Sequence, residues 1–138
     1  MLKRSSRLRL LRGAGILLLA LGIVHLLATP HIATLVRHSA SPASARWLTP
    51  PMLLNHILVG VLLIPLGYLT AYAAPHAVSG ASWARVVVRT TALSVATLPV
   101  TLFALMGTRY YFDAPLFVLG ATLTVVVAVT LLVVAFAR

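Results

Sequence analysis

The sequence predicts an all-α integral membrane protein, with four transmembrane helices in an antiparallel bundle and both termini in the cytoplasm. Three observations carry that prediction. Four strongly apolar stretches, each about one bilayer crossing long, take up most of the 138 residues. Hydrophobic residues make up 61% of the chain and the mean hydropathy is +1.05, where soluble domains hold roughly 45–50% apolar residues. The basic residues fall on alternate sides of the spans in a biased way.

The first span covers residues 13–36, an uncharged run of 24 residues. The second covers 51–74 and the fourth 114–137. The third covers 86–108; its apolar heart starts at Thr90, with Arg89 reaching back to the interface. A helix needs roughly 20 apolar residues to cross a hydrocarbon core of about 30 Å, so each stretch suffices. Lipid offers no hydrogen bonds to the backbone, which favours helices, and the period-two alternation of a barrel is absent. Residues 1–12 form a basic cytoplasmic tail and residues 13–138 one transmembrane domain, with no length left for a second.

Lys3, Arg4, Arg7, Arg9 and Arg12 precede the first span. Counting through the spans, Arg85, Arg89 and Arg138 join them, giving eight basic residues on one side against Arg37, Arg46 and Arg109 on the other. The positive-inside rule places the side of eight in the cytoplasm, and the expected location is the inner (plasma) membrane of a bacterium. The net charge of +10 is spread along membrane borders rather than over one reading element, so nucleic acid is not the expected partner. Anionic lipid headgroups are. The first apolar run outlasts the 7–15 residues of a signal-peptide core and no small-x-small site follows it, so an uncleaved helix is expected.

The connections are short. Residues 37–50, rich in Ser, Ala and Pro, are expected as a flexible outer loop, 75–85 as an inner turn and 109–113 as a tight outer turn. Trp47, Tyr110 and Tyr111 then sit at the outer interface and Tyr72 and Trp83 at the inner one, as an aromatic belt should. Pro30, Pro65 and Pro99 each remove one backbone hydrogen bond and are expected to bend their spans.

Small and polar residues form stripes. Gly15, Gly22, His25 and Thr29 lie within about 80° of arc on the first span, and His56, Gly60, Gly67, Ala71 and Ala74 within roughly 60° on the second. The third carries Thr90, Ser94, Thr97, Thr101 and Thr108, and the fourth Gly120, Thr124 and Ala128. Small residues let membrane helices approach closely, and hydroxyls bond across helices or back to their own carbonyls. All four stripes are therefore expected inside the bundle. Gly15, Gly22, Gly60, Gly67, Ser94, Thr97 and Thr101 are the packing residues singled out.

His25 and His56 sit on those inward faces, both in the outer half of the bilayer and within about 3–6 Å of one another in depth at 1.5 Å per residue. An intramembrane ionisable residue is a functional-site candidate, and neutral imidazole ligates haem iron, zinc or copper and relays protons. The plain structural alternative is a hydrogen bond that holds helices together, for which Thr29 is a ready partner of His25. His31 is the reserve third ligand; His38 is expected at the outer surface and His76 in the inner turn.

Absences narrow the chemistry. The chain has no cysteine, and Asp113 is its only acid. That excludes thiolate chemistry, paired carboxylates and an oxygen cage for calcium or magnesium. No serine triad and no phosphate-binding glycine loop is present, so the chain is not expected to be an enzyme on its own. The leading expectation is an accessory subunit of a membrane redox complex that holds one haem b, or a metal ion, between His25 and His56. It would contact the lipid bilayer and other membrane subunits or copies of itself. The alternatives are a cofactor-free structural or assembly subunit and a small oligomeric channel or transporter.

Overall fold

The computed structural model describes residues 3–106 and 115–136, and these form four long helices. They are α1 (Arg4–Ser39), α2 (Pro42–Ser79), α3 (Ser82–Met106) and α4 (Pro115–Phe136). Each is long and apolar enough to cross a membrane. The protein is a small all-helical membrane protein of four transmembrane helices. Neighbours in sequence are neighbours in space, and α4 packs back on α1 to close the ring. The amino end of α1 and the carboxyl end of α4 meet at one end of the bundle, where Arg7 Nη2 donates to the Val134 carbonyl at 3.3 Å. The expected turn Arg109–Asp113, with Tyr110 and Tyr111, lies outside the described residues.

The first two helices are longer than their apolar spans. At 36 and 38 residues and 1.5 Å per residue they run to about 54 and 57 Å, well beyond a core of about 30 Å. The basic segment expected as a separate tail is helical from Arg4 onward.

The stretch 37–50, expected as a flexible loop, is instead almost wholly helical, with only Ala40 and Ser41 between α1 and α2. The reason is local. The Ser41 hydroxyl accepts from the Ser44 N–H at 3.3 Å and caps the helix, and Pro42 fills its first position, where no N–H is needed. The inner turn is likewise shorter than expected. Helix α2 runs on through Pro75 and His76 to Gly80, whose φ of +105° closes it in the left-handed region. The Gly80 and Ala81 N–H groups bond the Ala77 and His76 carbonyls at 3.2 and 2.9 Å. His76 is therefore a helical residue, packed against Trp83 with ring centres 5.3 Å apart.

The four-helix core lies toward the basic end. Leu11, Leu18, Ala73, Ala74, Ala84, Val88, Val95, Leu131 and Val134 are buried there together. Alanine on α2 and α3 faces leucine and valine on α1 and α4, so small and large side chains interdigitate. The outer faces carry large apolar residues such as Leu27, Leu54, Leu62, Val100 and Val129, all exposed, as lipid-facing surfaces require. Beyond the core, α1 and α2 continue side by side, and the candidate site lies on that pair.

Candidate functional site: a stacked histidine pair on the α1–α2 seam

The α1–α2 contact is built on glycine. A Cβ at Gly67 would come within 2.5 Å of both the Gly15 carbonyl oxygen and the Leu19 nitrogen. Seven residues along each helix the relation repeats, and a Cβ at Gly22 would lie 2.8 Å from the Gly60 carbonyl oxygen. Backbone therefore touches backbone at two levels, an approach open only to residues without a side chain. Gly15, Gly22, Gly60 and Gly67 all lie at this seam.

One turn outward from Gly22 and Gly60 the same register brings His25 against His56. Their ring centres are 4.5 Å apart and the planes are 23° from parallel, a face-to-face stack. Thr29 ties the pair. Its hydroxyl donates to the His25 carbonyl at 3.1 Å and lies 3.2 Å from His56 Nδ1. A hydroxyl has one hydrogen. With that hydrogen on the carbonyl, the oxygen accepts from His56 Nδ1–H, which leaves His56 Nε2 as the unprotonated nitrogen. The His56 ring is thus anchored by a neutral hydroxyl and the His25 ring by its stack against His56.

The pair does not accommodate a haem as it stands. Two imidazoles that share one iron point their nitrogens at it from opposite faces of the macrocycle. Metal–nitrogen bonds of about 2 Å put those nitrogens about 4 Å apart with the ring edges facing. Here the ring faces are in contact, and the glycine seam one turn away holds the helices too close for a macrocycle between them. His31 is exposed. Among the described residues no group of three or more His, Asp or Glu side chains is placed to hold a metal ion.

The hydroxyl stripe of α3 lies elsewhere than expected. Thr90, Ser94, Thr97 and Thr101 are exposed, while the helix turns Ala84, Val88, Thr91, Ala92 and Val95 inward. The physical reason is visible at Thr97, whose hydroxyl donates to the Ser94 carbonyl on its own helix at 2.7 Å. A hydroxyl satisfied locally needs no partner helix within the chain. On α4, Thr124 does the same with the Gly120 carbonyl at 2.8 Å, and a Cβ at Gly120 would meet nothing within 4 Å. Beside the α3 stripe a cleft of about 240 Å³ opens between α2 and α3, lined by Leu62, Leu66, Ser94, Thr97 and Leu98.

Two polar residues that the stripes did not mark are buried. Thr91 sits 100° around α3 from Thr90, and Thr70 on α2 has no hydrogen-bond partner for its hydroxyl. The hydrophobic sequence around them carries no signal of their burial beyond the facing of Ala84, Val88 and Val95. Comparison with protein-family models, with curated proteins and with solved structures found no match.

Proposed function

We propose that the protein is a cofactor-free membrane assembly subunit whose α3 hydroxyl face meets other membrane helices. The observation that carries the reading is the outward placement of Thr90, Ser94, Thr97 and Thr101, on a span whose other exposed described residues beyond Arg89 are all apolar. Within the chain the hairpin α1–α2 is closed on itself by the glycine seam and the histidine stack. In a bilayer, hydroxyls on one helix hydrogen-bond across a contact for about 0.6 kcal/mol each on average, so Thr90, Ser94 and Thr101, with Thr97 as an acceptor only, supply a modest, directional attraction. The chain has no cysteine, so single-cysteine variants report cleanly. In native membranes, Ser94→Cys or Thr97→Cys carrying a photoreactive crosslinker should join the protein to a neighbouring chain. Val129→Cys, on the exposed face of α4, should not. Equal labelling at both faces, or none at either, removes the reading.

A second reading rests on the stack itself. The Thr29 bond leaves one His56 nitrogen unprotonated, and ligating histidines typically have their other nitrogen anchored in this way. A single borderline transition-metal ion, or a haem after the rings separate, would make the chain a redox accessory subunit. Such an ion would supply electron transfer or Lewis acidity, and the protein's part would be to hold and orient the two imidazoles. Metal bound in proportion to protein, and lost in both His25→Ala and His56→Ala, would favour this reading over the first.

A further inference from the structure

At the basic end, α1, α2, α3 and α4 enclose a cavity of about 520 Å³, within the roughly 300–1,000 Å³ of ligand pockets. Three arginines line it, Arg7, Arg85 and Arg89, with the exposed Phe136, around an apolar floor of buried Leu11, Val88 and Val134. Each arginine is held in place. Arg7 Nη2 donates to the Val134 carbonyl and Arg89 Nε to the Ala135 carbonyl, both at 3.3 Å. Arg85 Nη2 donates to the Gly80 carbonyl at 2.6 Å, and the Arg89 guanidinium stands 5.3 Å from the Phe136 ring centre. A guanidinium has five N–H donors, so each contact leaves most of the fork free. Arg7 Nε is buried with no hydrogen-bond partner on the protein.

Among the described residues no carboxylate side chain answers these charges. The only acid in the sequence, Asp113, lies outside the described residues, and the cavity is lined by the carboxyl end of α4. The carboxyl ends of α2 and α4 offer partial negative charge of roughly half a unit each, about one unit against three. A buried, unpaired guanidinium N–H is expensive unless an anion or water meets it. The floor is apolar and the mouth lies at the cytoplasmic border assigned by the charge bias.

We propose that this cavity binds a phosphate-bearing anion, with the guanidinium forks on its oxygens. Two sources carry that chemistry, the headgroup of an anionic phospholipid and free phosphate. The apolar floor suits the lipid, whose acyl chains continue down the bundle surface, and basic pockets between spans on the cytoplasmic side are the known form of such sites. Planar guanidinium matches phosphate in a two-pronged way that lysine does not.

The test is native mass spectrometry of the full chain in detergent, titrated with phosphatidylglycerol or phosphatidylcholine, alongside thermal melting in inorganic phosphate or in chloride at equal ionic strength. The expected result is one retained phosphatidylglycerol per chain, bound at least about tenfold more tightly than phosphatidylcholine, or ~1.4 kcal/mol. The double change Arg7→Gln/Arg89→Gln should erase that preference. Val78→Trp should do so too, since it fills the cavity from α2 without removing a charge. The exposed pair Arg4→Gln/Arg9→Gln, which removes the same charge outside the cavity, should leave it in place. Stabilisation by inorganic phosphate in the parent but not in Val78→Trp, without lipid preference, would support the cavity and name free phosphate as the source. If neither lipid preference nor phosphate response is seen, the proposal is overturned. It is equally overturned if the tail variant loses as much as the cavity variants. Should the Arg7/Arg89 variant fail to fold, the parent and Val78→Trp decide alone.

Discussion

His25 and His56 stack face to face at 4.5 Å, and Thr29 links the ring of one to the backbone of the other. In this arrangement the two intramembrane histidines and Thr29 join α1 to α2. Thr29→Val keeps the shape of the side chain and removes the link. Interhelical hydrogen bonds in membranes average about 0.6 kcal/mol, with a maximum near 1.7, so the variant should be destabilised within that range. Thr29→Ser should restore most of the loss. Unfolding of both variants in mixed micelles checks it, and a fully stable Thr29→Val would show that the link carries no stability.

The glycine seam makes a sharper prediction. Gly67→Ala places a methyl group against the Gly15 carbonyl and the Leu19 backbone, neither of which can swing aside. Overpacking of this kind typically costs about 1–3 kcal/mol, and a neutral result would mean that the α1–α2 crossing is looser than described. Gly13→Ala, with nothing within 4 Å of the added carbon, should be neutral or slightly stabilising. Both are read from the same unfolding measurement.

Much of this was legible in the sequence, and the misses have identifiable causes. The sequence set Gly15, Gly22 and His25 on one arc of the first span and His56, Gly60 and Gly67 on one arc of the second, and in the structure these are the residues at the α1–α2 contact. The α3 stripe misled because a threonine at helical spacing reads alike whether it bonds a neighbour or its own preceding turn, as Thr97 does. The segment 37–50 misled because its prolines and serines suggest a loop, whereas Ser41 and Pro42 are placed to start a helix. The arginine cavity was hidden for another reason. Arg7 reads as part of a tail, and its partner Val134 is 127 positions away.

Thr97→Leu separates the two places a hydroxyl stripe can lie. Thr97 is exposed within the chain, so the added bulk should leave the monomer as stable as the parent, to within about 0.5 kcal/mol for a surface change. It should instead weaken crosslinking to neighbouring chains in membranes. Loss of monomer stability without loss of crosslinking would place the residue inside the bundle after all.

Topology follows from the eight-to-three bias of basic residues. Reporter fusions after residue 138 and at Ser44 should report cytoplasm and exterior respectively. The reverse pattern would turn the arginine cavity outward and move the histidine clasp to the cytoplasmic half.

The central claim, a closed histidine clasp in a cofactor-free subunit, is tested most directly by the absorption spectrum and metal content of the protein purified in detergent from haem-replete cells. The expected result is no Soret band and far less than one transition-metal ion per chain, with His25→Ala and His56→Ala equally colourless. A Soret band that shifts on reduction and disappears in either alanine variant would contradict it.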